Sequence, residues 1–276
     1  MMPILMEIND KNEMERKILA KNYSWLSLDE NDIEKKIEYN EKALRYYPSY
    51  IPPHYWLGKW YSIRGYVKFL NDGQLYKDDK ERAEQYFENG LECKKRFQRT
   101  NHNLFNEWGS HYYRWGDYKN AIEKFVEGIK EIRKYPNYES KNNNLRNIFS
   151  ARISIINCLC KSGNNPDELI QKLENLLQEN PSHPYVYVTL GVLNCKKGEY
   201  QDALNNFDKS IEIKPDNYYP YWHKARVLLR TNKREEAQSC FNKAYEIILS
   251  SPNEINKIRL TRWGQQNKLL EENLQE

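Results

Sequence analysis

The sequence lacks the features that would mark a membrane or secreted protein. No stretch approaches the roughly 18 apolar residues that a bilayer-spanning helix requires. The start, MMPILMEINDKNEMERK, turns acidic too early for a secretory signal. The five cysteines are odd in number and scattered, which is typical of reduced thiols rather than of a disulfide framework. We therefore expect a cytoplasmic protein that does not enter a membrane.

The signatures of an enzyme are also missing. There is no glycine-rich phosphate loop or nucleophile elbow, and the five histidines form no metal-binding spacing on one helix face. The balance of 43 basic and 39 acidic residues gives a net charge of +4, which is too mild to require a nucleic-acid partner. These absences predict a protein that is not an enzyme and that uses no cofactor and no metal.

What the sequence does contain is an internal repeat. A small residue, an alanine twelve residues later and a phenylalanine four residues after that recur at the same spacing. The sets are Gly109, Ala121 and Phe125; Gly191, Ala203 and Phe207; and Ala225, Ala237 and Phe241. The last two sets are 34 residues apart, and Pro181 and Pro215 are separated by the same interval. Apolar residues at intervals of three and four indicate amphipathic helices between these markers.

This pattern resembles the tetratricopeptide repeat, a 34-residue helix-turn-helix whose signature is W-x2-L-G-x2-Y, then A-x3-F, then P. HYWLGKWY (54–61) and VYVTLGVLN (186–194) match its first half. GDYKNAIEKFVEGI and GEYQDALNNFDKSI match its turn and second half. The resemblance implies an all-α fold, a right-handed superhelical solenoid of helix-turn-helix repeats with a C-terminal capping helix. It also implies a non-enzymatic adaptor or scaffold that binds other proteins.

The expected architecture is a single solenoid over 1–276. Its six units are 17–50, which is degenerate, then 51–98, 102–136, 149–182, 184–217 and 218–251, and 253–276 is the capping helix. Glycines end first helices at Gly116 and Gly198, where a left-handed residue is favoured. Within a unit we expect Gly191 to face Ala203 across a close pair of helices.

Two segments depart from the regular spacing. The unit 51–98 has thirteen extra residues between its glycine and its alanine, which predicts a longer helical hairpin over 62–82 that projects from the stack as a contact arm or as a tolerated insertion. The segment YPNYESKNNNLRN, residues 135–147, predicts a flexible joint between two units.

The family resemblance implies that the first helix of each unit lines a concave groove, with contacts from side chains that point away from the second helix. Aromatic, basic and amide groups on this face suit a peptide, since they offer rigid contact area, positive charge and backbone hydrogen bonds. The candidate residues are Tyr55, Trp56, Lys59, Asn106, Tyr113, Arg114, Asn157, Lys161, Tyr185, Tyr219, Trp222, His223, Arg226 and Arg230. Because a groove residue is not a core residue, we expect Trp222→Ala to weaken binding and to leave folding intact.

Three functions are compatible with these residues. The first is recognition of a peptide segment of a partner protein, with an acidic segment matched to the basic groups. The second is binding of RNA or another polyanion, with stacking on Trp56, Tyr113 and Trp222 and phosphate contacts from Lys59, Arg114 and Arg226. The third is a structural subunit of a larger assembly that uses its convex face or the 62–82 hairpin.

Overall fold

The computed structural model describes residues 11–74, 76–97, 101–134, 142–251 and 253–269, and these residues form thirteen α-helices and no strand. The helices of the N-terminal part are α1 (Glu13–Asp29), α2 (Ile33–Tyr46), α3 (Ile51–Asp72), α4 (Lys77–Phe97), α5 (His102–Arg114) and α6 (Tyr118–Arg133). They are followed by α7 (Asn142–Lys161), α8 (Pro166–Glu179), α9 (Pro184–Lys197), α10 (Tyr200–Ile213), α11 (Tyr218–Arg230), α12 (Arg234–Leu249) and α13 (Glu254–Gln266). The predicted all-α class with helix-turn-helix repeats is confirmed.

Local sequence signals set the ends of these helices. The Asp32 side chain accepts hydrogen bonds from the Glu34 and Lys35 N–H groups at the start of α2, which satisfies two donors that the helix itself cannot pair. At the other end, Gly198 follows α9 with φ +85°, a left-handed conformation that glycine adopts without a Cβ penalty. Asn232 occupies the same place 34 residues later, after α11, with φ 59°. The repeat is therefore visible in the backbone as well as in the sequence.

Three of the hairpins close on a contact between a glycine and a phenylalanine ring. A Cβ at the glycine of the first helix would lie 2.5–2.8 Å from the nearest ring carbon of the phenylalanine of the second helix. The three pairs are Gly58 with Phe87, Gly109 with Phe125 and Gly191 with Phe207. At Gly191 the nearest atoms belong to the Phe207 ring, so this ring sets the closest approach of the two helices, and the expected facing of Gly191 and Ala203 stays a prediction. Ala203 is fully buried in the same cluster as Phe207.

The chain divides into two compact units, Met1–Ala151 and Arg152–Glu276. In the first unit, α1 packs on α2, α3 on α4 and α5 on α6 as successive hairpins. In the second unit, α9 packs on α10 and α11 on α12. The single solenoid over 1–276 stays a prediction.

The second unit ends in the expected capping helix. Leu260 and Leu269 are buried in one cluster with Ala225, Phe241 and Ile248, and the Trp263 ring packs against them. Helix α13 thereby covers apolar side chains of α11 and α12 that the last repeat would otherwise expose. The cap extends over Glu254–Gln266, and residues 270–276 of the predicted helix lie outside the described residues.

The extended hairpin is confirmed in its length. Helices α3 and α4 have 22 and 21 residues, whereas the neighbouring α5 and α6 have 13 and 16. The extension is a packed element, since the Trp115 ring after α5 contacts the rings of Tyr66 (5.3 Å between centroids) and Phe69 (6.0 Å). Arg64 Nη2 donates to Asp79 Oδ1 at 2.6 Å across the hairpin.

The predicted joint over 135–147 is shorter than expected. Helix α7 begins at Asn142, so residues 142–147 are helical rather than part of a linker. The remaining residues, 135–141, lie outside the described part of the chain. The asparagine run did not distinguish the two structures, because asparagine is favoured at the N-cap of a helix as well as in turns.

Candidate functional site

The predicted site residues of the first unit surround an ion pair on α3 and α5. Lys59 Nζ lies 3.0 Å from Glu107 Oε1, and the same ammonium group lies over the rings of Trp56 (4.9 Å) and Trp60 (5.2 Å). The two indole rings are stacked with their centroids 5.8 Å apart. The charge of Lys59 is therefore neutralised within the protein.

Two residues predicted for this face pack inside the hairpins instead. Tyr55 is 8% exposed, and burial together with the nearby Glu107 raises the pKa of its phenol to about 12. Asn106 faces its own second helix, since a Cβ on Gly128 of α6 would lie 2.8 Å from Asn106 Oδ1. Both therefore face packing partners, and the approach of Gly128 to Asn106 was not foreseen from the spacing.

The remaining pair of the first unit lies at the end of α5. Arg114 Nε donates to Ser62 Oγ at 3.2 Å, which joins α5 to α3, and Arg114 Nη1 donates to the Ser110 carbonyl at 3.2 Å. The Tyr113 ring packs edge-on against Tyr118 at 5.7 Å. These side chains are half-buried and connect neighbouring elements.

Sequence reasoning missed an exposed apolar stripe on α1. Ser24 precedes Pro48 by the same interval that separates Gly191 from Pro215, which sets the register of the degenerate unit. In this register Ile18, Trp25 and Leu28 occupy the positions that Tyr185, Val192 and Cys195 occupy on α9, and they are 51%, 62% and 48% exposed. The signal was available in the interval from Ser24 to Pro48, but this unit replaces the glycine and phenylalanine by Ser24 and Asn40, which hydrogen-bond at 3.5 Å.

In the second unit the first helices contact one another directly. Thr189 Oγ1 of α9 donates to Asn157 Oδ1 of α7 at 3.3 Å. Near the C-terminal end of the same helix, Lys196 Nζ donates to the Cys160 carbonyl of α7 at 2.5 Å. Two predicted site residues, Asn157 and Lys161, are thus brought beside α9. We call the surface formed by these helices and α11, on the side away from α8, α10 and α12, the first-helix face.

His223 lies beneath this face rather than on it. It is 8% exposed, its ring is stacked on Phe207 at 5.7 Å, and the Tyr219 ring meets it edge-on at 4.6 Å. Burial lowers the pKa of the imidazole to about 3, and the positive charges of Arg226 and Lys161 act in the same direction. The expectation that His223 is open to a ligand is not met, because its ring fills the space between two repeats.

Trp222 also has a packing role. Its ring contacts the rings of Tyr218 (6.4 Å), Tyr219 (6.0 Å) and Trp263 (6.3 Å), the last of these on the capping helix. Its indole Nε1 is shielded from solvent and has no hydrogen-bond partner in the described part of the chain. We therefore expect Trp222→Ala to reduce stability, and the earlier expectation of an unaffected fold is withdrawn.

The accessible side chains of the first-helix face are aromatic and cationic. Tyr185 is 45% exposed, and Lys161, Lys196 and Arg230 are also exposed. Arg226 is half-buried, with its Nη1 3.5 Å from His223 Nδ1. Such a surface offers one rigid ring and several charged donors, a combination that can hold an anionic or polar chain. Among the described residues, no cluster of histidine, cysteine or carboxylate groups is arranged to bind a metal ion, and no helix is long and apolar enough to cross a membrane.

Similarity to known proteins agrees with this architecture. The sequence model of the tetratricopeptide repeat matches residues 184–217 and 218–250. NprR in complex with its cognate peptide NprX is similar with a TM-score of 0.68 at 16% identity, over 96% of this chain and 76% of the NprR chain. The apo form of the quorum sensor NprR from B. thuringiensis gives 0.64 at 16% identity, over 95% of this chain and 74% of that chain. The Pseudomonas aeruginosa protein pilF gives 0.56 at 16% identity, over 90% of this chain and 99% of that one.

At this level of identity the solved structures report on the fold. They share the helix-turn-helix repeats that the glycine and phenylalanine contacts build here. The two matched segments begin at the first residues of α9 and α11 and include α10 and α12. These findings show that residues 184–250 form two tetratricopeptide repeats, and the left-handed residues Gly198 and Asn232 lie at the same place in both.

Proposed function

We propose that this chain is a non-enzymatic interaction module that binds a segment of a partner protein along the first-helix face of the second unit. The observation that carries the proposal is the adjacency of α7, α9 and α11, which places Asn157, Tyr185 and Arg230 on consecutive helices of one surface. The amide can bond a peptide backbone, the phenol ring offers rigid contact area and the guanidinium offers fork-like donors.

A structural relative supports a peptide as the occupant. NprR has been captured with its cognate peptide NprX, and its fold covers 96% of this chain. Two proteins of similar fold can bind different ligands, so the proposal rests on the side chains of the first-helix face. The peptide complex of NprR is consistent with it. The scattered free cysteines support the cytoplasm as the compartment in which we place this function.

Ring contacts favour a peptide over RNA. Of the three rings that RNA stacking requires, Trp56 is stacked on Trp60, Tyr113 packs against Tyr118 and Trp222 contacts Trp263. A ring that already packs against other rings offers less of its face to a base. The Lys59 ammonium group, which would contact phosphate, is paired with Glu107.

Site-specific photo-cross-linking tests the proposed function. A photoreactive phenylalanine analogue replaces Tyr185 on the face, and in a second variant it replaces Ile213, which is 38% exposed at the end of the second helix α10. Each variant is irradiated in cells, and cross-linked proteins are identified by mass spectrometry. We expect a partner protein cross-linked from position 185 and not from position 213.

The reverse pattern would contradict the proposal. Cross-links from position 213 alone would place the working surface on the second helices. A third probe at Gln74, which is exposed in the turn of the extended hairpin, tests that alternative surface. Cross-links from position 74 alone would favour the structural-subunit function.

A further inference from the structure

Three cations occupy the same position of three successive first helices. Lys196 follows Gly191 by five residues and Arg230 follows Ala225 by five, while Lys161 follows Ile156, the residue at the equivalent place in α7, by five. All three side chains are exposed. We call this set the cation ladder. The bond from Lys196 to the Cys160 carbonyl brings the last turn of α9 beside the last turn of α7, where Lys161 lies.

The helices that carry the ladder contain no carboxylate. Neither aspartate nor glutamate occurs in α7, α9 or α11, whereas α8, α10 and α12 each contain three or more. Within the described residues, no ladder cation forms an ion pair. Positive charge near a helix C-terminus complements the helix dipole, which accounts for cations at these ends. It does not account for the absence of carboxylates along the whole of three helices.

Two other cations on the same helices, Lys197 and Lys224, are neutralised, so the pattern depends on the face. Lys197 Nζ, next to Lys196, lies 2.8 Å from Asp167 Oδ1 and 2.7 Å from Glu199 Oε1. On α11, Lys224 Nζ lies 2.5 Å from Asp208 Oδ1. The cations that point toward the second helices have partners there. Lys161, Lys196 and Arg230 on the first-helix face have no carboxylate partner in the described part of the chain, so this face has an uncompensated positive charge.

The first unit does not show this pattern. On its first helices, Lys59 of α3 is paired with Glu107 of α5, with 3.0 Å between Nζ and Oε1. A neutralised pair offers little to an anionic ligand, because a carboxylate would have to displace Glu107 first. The first helices α3 and α5 therefore include an ion pair between neighbouring helices, whereas the helices of the ladder contain no carboxylate.

We propose that the first-helix face of the second unit binds an acidic peptide segment whose carboxylates meet Lys161, Lys196 and Arg230 in turn. This inference rests on the proposed function and specifies the chemistry of its ligand. Neighbouring helices pack about 8–10 Å apart, and a peptide in the polyproline II conformation advances about 3.1 Å per residue and has every third side chain on the same side. Carboxylates three residues apart are thus spaced like the cations of successive helices. Aspartate or glutamate at every third residue is the sequence pattern that we expect in the partner.

An array of randomised twelve-residue peptides, probed with the full chain, tests this inference. We expect the bound peptides to be enriched in aspartate and glutamate at a spacing of three. The triple variant Lys161→Gln, Lys196→Gln and Arg230→Gln should bind the selected peptides about tenfold more weakly, since each exposed ion pair contributes a modest amount. The affinity of the unmodified chain should fall with added salt, and that of the variant should change less.

A charge-matched variant provides the control. Lys172→Gln, Lys209→Gln and Lys243→Gln remove three exposed cations that lie on the second helices. We expect this control to keep the affinity of the unmodified chain for the selected peptides within about twofold, because exposed charges away from the binding face are screened by salt. Thermal melts of both variants show whether the fold is intact. Equal losses in the two triple variants would overturn the inference, because net charge alone would then explain the binding.

The outcomes separate this inference from the proposed function. If the array selects neutral peptides whose binding is lost in Tyr185→Ala and kept in the ladder variant, the face binds peptides and the acidic specificity is wrong. If no peptide is retained and no protein cross-links from position 185, the proposed function fails as well. If oligouridylate binds more tightly than any peptide and is released by the ladder variant, the ladder serves RNA and the inference is overturned.

Discussion

The contact between Gly191 and Phe207 sets how closely α9 and α10 approach. Because a Cβ on Gly191 would lie 2.5 Å from Phe207 Cε1, any larger side chain forces the helices apart or the ring out of place. We predict that Gly191→Leu lowers the free energy of unfolding by about 1–3 kcal/mol, measured by chemical denaturation. The double variant with Phe207→Ala should lose less than the sum of the two single losses, since the shorter side chain makes room. Strict additivity would mean that the two residues do not oppose each other.

A second residue-scale prediction concerns acid stability. The pKa of buried His223 is lowered to about 3, so the folded protein keeps this imidazole neutral while the unfolded chain binds a proton near pH 6.5. Stability is therefore fully present above about pH 6.5 and falls as the pH is lowered from there toward the folded pKa, by up to about 1.4 kcal/mol per pH unit. Denaturation midpoints measured from pH 7.5 to 4.5 should show this decline.

The variant His223→Gln tests the assignment. It loses ring packing at all pH values, so the comparison is made between slopes and not between absolute stabilities. We expect a shallower decline below pH 6.5 in the variant. An unchanged slope would assign the acid sensitivity to other buried histidines, of which His54 and His111 also have lowered pKa values because of burial.

At the scale of one element, the extended hairpin is held together by a buried ion pair. Asp79 is 5% exposed and accepts hydrogen bonds from Arg64 Nε (3.1 Å) and Nη2 (2.6 Å), while Gly65 lets the two helices approach. Burial of the carboxyl opposes its ionisation, but Arg64 and Lys68 hold its pKa below the usual value. We predict that Asp79→Asn costs about 2 kcal/mol of stability, because it breaks a bidentate charge-assisted contact and leaves Arg64 with the exposed Glu34 as its carboxylate partner.

The neighbouring carboxylate offers a matched control for the hairpin. Asp78 is exposed at the adjacent position of α4, and Asp78→Asn removes the same charge without breaking a buried pair. Its denaturation midpoint should stay close to that of the unmodified chain. Equal losses in both variants would indicate that the acidic first turn of α4, and not the ion pair with Arg64, stabilises the hairpin.

The helices could be predicted from the sequence. The contacts of their side chains could be predicted only in part. The intervals between Gly58, Ala83 and Phe87 give the length of the extended hairpin directly, because an insertion lengthens the interval between two repeat positions. The role of Trp222 could not be read in the same way. Its partner Trp263 belongs to a capping helix outside the repeat, so no repeat position describes the contact. The contact of Asn106 could not be predicted for a related reason, since its neighbour Gly128 has no side chain that would indicate a contact.

On the scale of the whole molecule, each of the two units contains buried apolar clusters of its own. Phe87, Leu57 and Trp108 belong to a buried cluster of the first unit, and Phe207 and Val188 to a cluster of the second. We therefore predict that Gly191→Leu speeds amide hydrogen exchange within 152–276 and leaves the slowest amides of α3 and α4 unchanged. Mass spectrometry of exchanged peptides measures both regions in one sample. Faster exchange throughout both units would show that they unfold as a single body.

The separation of charge between first and second helices also bears on the kinetics of encounter. In the second unit, the carboxylates of α8, α10 and α12 and the cations of α7, α9 and α11 give each hairpin a positive and a negative side. An acidic segment approaching from solution is attracted to one side and repelled from the other before any atoms touch. Such steering raises the association rate constant at low ionic strength and leaves the residence time to short-range contacts. The face would then select the orientation of its ligand during diffusion.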